Sequence, residues 1–234
     1  MAAIAWLTGA SSGIGAACAQ FAPQGIDVTG VCRGIPAAGR HLAADLSRPD
    51  GWAVTLDDIE AHLSGVDEAY LLHLAGVTAP VGPVTTVDSA SYLDSFLLNA
   101  GSTFALGQGF LQRCAKAGVR GTLVVCSSPS ATDVIPGMSQ YGAAKAAVEH
   151  WARIVAAEGS RVVAVVPYAV DTPMLRAVMD NAPEDDPLAG HFRELHRRGE
   201  LASAVDTAEQ IWAAALNPPA DPVVAVGARH LAVK

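Results

Sequence analysis

Six short, nearly continuous apolar runs recur along the chain: Ile4–Leu7, Asp27–Val31, Tyr70–Leu74, Thr122–Cys126, Val162–Val166 and Val223–Val226. None shows the strict alternation of a half-solvated strand, so each reads as a strand covered on both faces, as in a parallel sheet. Longer stretches with helical character lie between them, around residues 14–22, 52–63, 89–117, 139–158 and 205–216. Strands alternating with helices predict an α/β fold. Its expected form is a single doubly wound parallel sheet with right-handed crossovers and helices on both faces.

Residues 172–200 break this rhythm. They hold Pro173, Pro183, Pro187, the acidic Glu184-Asp185-Asp186 and a polar stretch with His and Arg, and they are too long for an ordinary connection. A plain surface insertion is one reading. A lid over the ligand site is favoured, because the segment follows a strand whose carboxyl end should face the ligand crevice.

The 234 residues suit one domain, 1–234, without linker or internal repeat. With 51% hydrophobic and 16% charged residues, disorder is excluded. A net charge of −8 argues against nucleic acid and membrane as partners. No apolar run approaches the roughly 20 residues of a membrane span, and Met1–Leu7 lacks the basic start of a signal peptide. Cys18, Cys32, Cys114 and Cys126 are scattered, as expected of reduced core thiols in a cytoplasmic protein. No metal site is expected: the only histidines close in sequence, His191 and His196, are spaced i, i+5, which does not share a helix face.

Two clusters carry chemistry. Thr8-Gly9-Ala10-Ser11-Ser12-Gly13-Ile14-Gly15 follows the first strand and opens a helix. Glycines there permit a tight turn and let the backbone approach a pyrophosphate resting on the helix N-terminus. This gives a Rossmann-like nucleotide-binding start. Further on, Tyr141 and Lys145 are spaced i, i+4, on one helix face. A cation there is expected to lower the phenol's pKa and fit it for proton transfer. Ser128, thirteen positions before the tyrosine, is poised to hydrogen-bond a substrate oxygen. Ser127 competes for that role, but neighbouring strand residues point to opposite sides and the spacing selects Ser128. Ser128 lies in Cys-Ser-Ser-Pro, not Gly-x-Ser-x-Gly, which disfavours a serine hydrolase.

With these motifs in order, the chain resembles the short-chain dehydrogenase/reductase family along nearly its whole length. The start is similar to that family's Thr-Gly-x-x-x-Gly-x-Gly, and Ser128, Tyr141 and Lys145 to its catalytic residues. Asn99 matches the helical asparagine of its catalytic tetrad. Asp45-Leu46 sits where the family places an acidic residue beside the adenine. Ala75-Gly76 resembles the end of Asn-Asn-Ala-Gly, and Pro167–Thr172, with Val170, the segment embracing the nicotinamide. The resemblance implies that Gly9, Ser11, Ser12, Gly13, Ile14, Gly15, Arg33, Asp45, Leu46, Ala75, Gly76, Tyr141, Lys145, Pro167, Val170 and Thr172 bind a dinucleotide. It also implies that Lys145 holds the nicotinamide ribose, and that Asn99 supports a water linking Lys145 to solvent.

The chain departs from the family pattern at His73-Leu74, which replaces Asn-Asn, and at Tyr168, which replaces a glycine. The end of the second strand, Val31-Cys32-Arg33-Gly34, has an arginine and no carboxylate. A guanidinium pairs with a 2′-phosphate, whereas a carboxylate would bind a free ribose, so NADP(H) is expected over NAD(H). The expected activity is NADPH-dependent reduction of a ketone or 1,2-dicarbonyl to an alcohol, with Tyr141 as proton donor. A non-catalytic dinucleotide sensor or scaffold and an NAD-dependent alcohol dehydrogenase running oxidatively are the alternatives.

The order of Asp171–Met174, Phe192–Leu195 and Gly199–Leu201 is similar to the sepiapterin reductase and benzil reductase subgroup. The tail Val226–Lys234 lacks the carboxylate that holds a pterin there, which disfavours pterin reduction. Met138, Met174, Leu175 and Met179 are candidates for an apolar substrate pocket. The resemblance further implies a homodimer or homotetramer formed through 89–117 and 139–158.

Overall fold

The structure, a computed structural model, describes residues 2–227. Met1 and the tail 228–234, on which the pterin expectation rests, lie outside the described residues. Seven parallel strands form one sheet in the order β3-β2-β1-β4-β5-β6-β7. They are β1 Ala3–Thr8, β2 Ile26–Cys32, β3 Arg40–Ala43, β4 Glu68–His73, β5 Arg120–Cys126, β6 Arg161–Pro167 and β7 Val223–Val226. β1 pairs with β2 on one side and β4 on the other, with Thr8 opposite both Val31 and His73. The chain reverses its direction of winding there, which opens a crevice beyond the carboxyl ends of β1 and β4.

Adjacent strand residues face opposite layers. Trp6, Leu71 and Leu123 pack with Ile59, Phe110 and Val148, from helices α2 (Pro49–His62), α4 (Ser102–Ala117) and α5 (Ser139–Ala157). Their neighbours Leu7, Leu72 and Val124 pack on the other face with Cys18, Ile211 and Trp212, from α1 (Gly13–Gln20) and α8 (Ala204–Leu216). Both layers are dry, as the continuous apolar strands require. The fold is the Rossmann-like, doubly wound single domain expected. All four cysteines are free thiols.

Three differences from the sequence expectation have physical causes. β3 adds a seventh strand; it is a four-residue edge strand whose only inward apolar side chain is Leu42, so no apolar run announces it. The stretch 89–117 is broken: α3 (Ser89–Phe96) passes through a π-helical turn at Leu97–Gly101 before α4 begins. Residues 172–200 are two short helices, α6 (Pro173–Asn181) and α7 (Pro187–Arg197). Each starts with a proline after a side-chain cap, Thr172 for α6 and Asp186 for α7. Among the described residues, no helix is long and apolar enough to cross a membrane.

Candidate active site

The turn between β1 and α1 is built on glycines in conformations and spaces that other residues do not share. Gly9 and Gly13 have φ of +71° and +54°. A Cβ on Gly15 would lie 2.4 Å from the carbonyl oxygen of Gly9, so only glycine lets α1 start this close to the turn. Ser12 caps α1 with an extended backbone and no side-chain hydrogen bond, leaving the first-turn N–H groups to an outside acceptor.

Below this turn, Thr8 ties the two central strands together. Its Oγ1 accepts from the N–H groups of Leu74 (2.9 Å) and Ala75 (3.0 Å) and lies 3.1 Å from His73 Nδ1. The hydroxyl proton is therefore free to go to Nδ1, which makes Nε2 the protonated nitrogen. Nε2 donates to Ser102 Oγ at 2.9 Å, and Ser102 donates to the Leu98 carbonyl. Burial, aided by the nearby Lys145 charge, pushes the His73 imidazole down to about 3, so it is neutral. At one of the positions that depart from Asn-Asn, His73 thus links Thr8 of β1 through Ser102 to the π-helical turn.

A cleft of about 640 Å³ opens at the switch point. Eight of the expected dinucleotide residues line it: Gly9, Ser11, Ser12, Arg33, Asp45, Leu46, Ala75 and Gly76. Asp45 Oδ1 accepts from both the N–H and the hydroxyl of Ser47. These bonds, with the nearby Arg33 and Arg48, hold its carboxyl below the usual range. Other expected residues act from outside the cleft wall. Gly15 is the close-packing point of the turn, and Ile14 packs against the α1/α8 core. Gly13 lies under Thr172, whose Cγ2 would be 3.3 Å from a Cβ there. Val170 is buried and bridges to Ala202.

Asn99 and Lys145 meet beside Gly76, with Tyr141 next to Lys145 and Ser128 next to Tyr141; none of the four lines the cleft itself. A Cβ on Gly76 would fall 2.8 Å from Asn99 Oδ1 and 3.7 Å from Lys145 Nζ, so the bare glycine backbone keeps this corner open. Asn99 sits in the π-helical turn, and its amide is bound twice to Val77, accepting from the N–H (3.1 Å) and donating to the carbonyl (2.8 Å). Such turns, where the helical ladder slips by one residue, recur at functional sites. Lys145 Nζ donates to the Cys126 carbonyl at 2.7 Å. Tyr141 neighbours the Ser128 hydroxyl, whose influence on the phenol is to lower its pKa. Ser128 in turn donates to Ser130 Oγ. Ser127 is engaged elsewhere: its hydroxyl donates to Glu149, further along α5.

One electrostatic expectation is corrected. The Tyr141 phenol is raised above its usual value, by burial first and the Cys126 thiol second, against the lowering effect of Ser128. The Cys126 thiol is itself pushed up by burial, so it is uncharged near neutrality, and burial outweighs the Ser128 effect on the phenol there. The Lys145 ammonium, spent on the Cys126 carbonyl and 5.5 Å from the centre of the Tyr141 ring, does not offset it. Burial also pulls Lys145 down. Tyr141 is therefore a protonated acid.

The α6–α7 excursion has pinned feet. Asp171 N–H donates to the Ala202 carbonyl and Ala202 N–H to the Ala169 carbonyl, both at 2.9 Å. Arg193 of α7 closes the hairpin, donating to the carbonyls of Met179, Ala182 and Pro183 at the end of α6. Met138 and Met179 are buried in packing, Leu175 is half-buried and Met174 is exposed. None of the four lines the cleft at the switch point.

A family model described as Enoyl-(Acyl carrier protein) reductase matches residues 9–216, and the chain belongs to the short-chain dehydrogenase/reductase family. It is 29% identical over 219 residues to the cis-4-hydroxycyclohexanecarboxylate dehydrogenase of Sinomonas cyclohexanicum, covering 86% of this chain and 87% of that protein. A short-chain dehydrogenase/reductase from Saccharomyces cerevisiae superposes with a TM-score of 0.84 at 21% identity, covering 95% of both chains. The NADP-bound structure of a protein assigned as an NAD(P)-dependent gluconate 5-dehydrogenase from Beutenbergia cavernae gives 0.78 at 24% identity, covering 96% and 95%. The protein is an oxidoreductase of this family.

Proposed function

We propose that the protein is an NADPH-dependent carbonyl reductase that converts a hydrophobic ketone or 1,2-dicarbonyl to an alcohol. The observation that carries this is the grouping of the protonated Tyr141 and its neighbour Ser128 with Lys145 and Asn99, the last two directly behind Gly76 of the cleft wall. The dinucleotide fits the residues present: positive-φ glycines at the turn, Arg33 at the cleft mouth, and Gly76 where a Cβ would block the inner corner. Arg33 would take the 2′-phosphate, the first turn of α1 the pyrophosphate, and Thr172 and Val170 would back the nicotinamide. When bound, the reduced nicotinamide supplies the hydride that adds to the carbonyl carbon.

The chain supplies the rest. Ser128 hydrogen-bonds the carbonyl oxygen and fixes its direction. Tyr141 gives its phenolic proton to that oxygen as negative charge develops, leaving a phenolate. The burial that raises Tyr141 keeps the proton in place until then. Lys145, behind the phenol, neutralises the phenolate, and Asn99 orders the corner through which a proton returns. The substrate class rests on likeness to the benzil reductase subgroup; we propose a homodimer or homotetramer from the family resemblance, and a cytoplasmic location from the scattered free thiols. Loss of NADPH absorbance with a panel of 1,2-diketones, ketones and aldehydes tests the reading. At least one diketone or ketone is expected to be reduced faster with NADPH than with NADH; inertness toward the whole panel contradicts it.

A further inference from the structure

The strand end that carries Ser128 is held by α5 at a second point. Ser127 is buried, its N–H donates to the Val165 carbonyl at 2.8 Å, and its hydroxyl donates to Glu149 Oε2 at 3.0 Å. Tyr141, Lys145 and Glu149 are spaced i, i+4 and i+8, so they form one row along α5. Each meets a different residue at the end of β5. Lys145 takes the Cys126 carbonyl and Glu149 the Ser127 hydroxyl, while Tyr141 neighbours the Ser128 hydroxyl. The Glu149 side chain is only 15% exposed, and its second oxygen faces Arg153 at 3.4 Å, which also reaches Asp221 at 3.3 Å, just before β7. A largely buried carboxylate held this way is a firm anchor, because a bond from a hydroxyl to a charged acceptor is stronger than a neutral one.

We propose that Glu149 is a positioning residue for the reduction: by gripping Ser127 it fixes α5 against the end of β5 and holds Tyr141 beside Ser128. This rests on the carbonyl-reductase reading. Ser127 and Ser128 share a peptide bond, so a shift of one moves the other, and misplacement by about 1 Å can cost on the order of a hundredfold in rate. In sequence alone, a glutamate one turn beyond the lysine looks like a solvated helix charge.

The test is NADPH oxidation by Glu149→Leu, Glu149→Gln, Ser127→Ala and the Ser127→Ala/Glu149→Leu double variant. It uses the panel compound the wild type reduces fastest, with NADPH Kd followed by fluorescence. Glu149→Leu is expected to lower kcat at least about tenfold while NADPH Kd stays within about twofold. Glu149→Gln, which keeps an acceptor oxygen, recovers most of the rate, and adding Ser127→Ala to Glu149→Leu costs nothing further. A kcat for Glu149→Leu within about twofold of wild type overturns the proposal, as do losses that multiply in the double variant. If Glu149→Leu does not fold, Ser127→Ala decides: kcat must fall at constant NADPH Kd, and an unchanged kcat overturns the proposal. Tyr141→Phe separates the two layers. Its inactivity beside an unaffected Glu149→Leu sinks only this inference, whereas an active Tyr141→Phe sinks the reading beneath it.

Discussion

Lys145 donates a 2.7 Å hydrogen bond to the carbonyl of Cys126, at the last residue of β5. That bond holds a buried ammonium beside the Tyr141 ring without letting it depress the phenol. In the proposed reaction the lysine acts once the phenol has lost its proton. Lys145→Met is expected to lower kcat by about a hundredfold or more, within the range of a lost acid–base group. Lys145→Arg should not restore it, because a planar fork does not fill the place of a compact ammonium. Steady-state kinetics of the two variants check this; full activity in Lys145→Arg would contradict it.

Acid should destabilise the protein through His73. Its folded-state imidazole lies at about 3 against an ordinary 6.5. The unfolded chain therefore takes the proton first as pH falls. Stability is intact above about pH 6.5 and declines below it by about 1.4 kcal/mol per pH unit. Between pH 7 and pH 5 the wild type is expected to lose about 2 kcal/mol more than His73→Asn, measured by urea unfolding. Equal losses in both proteins would refute the assignment of a neutral histidine.

Gly15 is expected to matter for folding before it matters for binding. An added Cβ would lie 2.4 Å from the Gly9 carbonyl oxygen and 2.7 Å from its carbon. Both are backbone atoms that cannot swing away. Gly15→Ala should destabilise by about 1–3 kcal/mol, read as a lowered Tm without NADPH; an unchanged Tm would mean that the turn is looser than described.

Cofactor choice should follow Arg33, which lines the cleft mouth beside Asp45. Arg33→Ala is expected to weaken NADPH binding by about tenfold, the value of about one charge-assisted hydrogen bond, and to leave NADH binding nearly unchanged. Fluorescence titrations of both dinucleotides measure it. Parallel weakening of the two would remove Arg33 from the 2′-phosphate site.

The sheet was legible because its inner strands are covered on both faces, and such strands leave runs like Leu71-Leu72 and Val162–Val165. β3 was not, since an edge strand with one tucked leucine leaves no run. The thirteen-residue spacing to Tyr141 together with strand alternation favours Ser128 over Ser127, and it is Ser128 that neighbours the phenol. What Ser127 does instead was not legible, because its partner Glu149 is twenty-two residues away in sequence. The direction of the Tyr141 shift was missed for a related reason: spacing places a lysine nearby, but burial, and where the ammonium spends its hydrogen bonds, are decided by the packed fold.

The most direct test of the central claim is NADPH oxidation by Tyr141→Phe, which keeps the ring and removes only the acidic proton. With the best wild-type substrate, kcat is expected to fall by about 10²–10⁴-fold while NADPH affinity holds. Equal rates for wild type and Tyr141→Phe on every active substrate would contradict the proton-donor role and, with it, the account of the site.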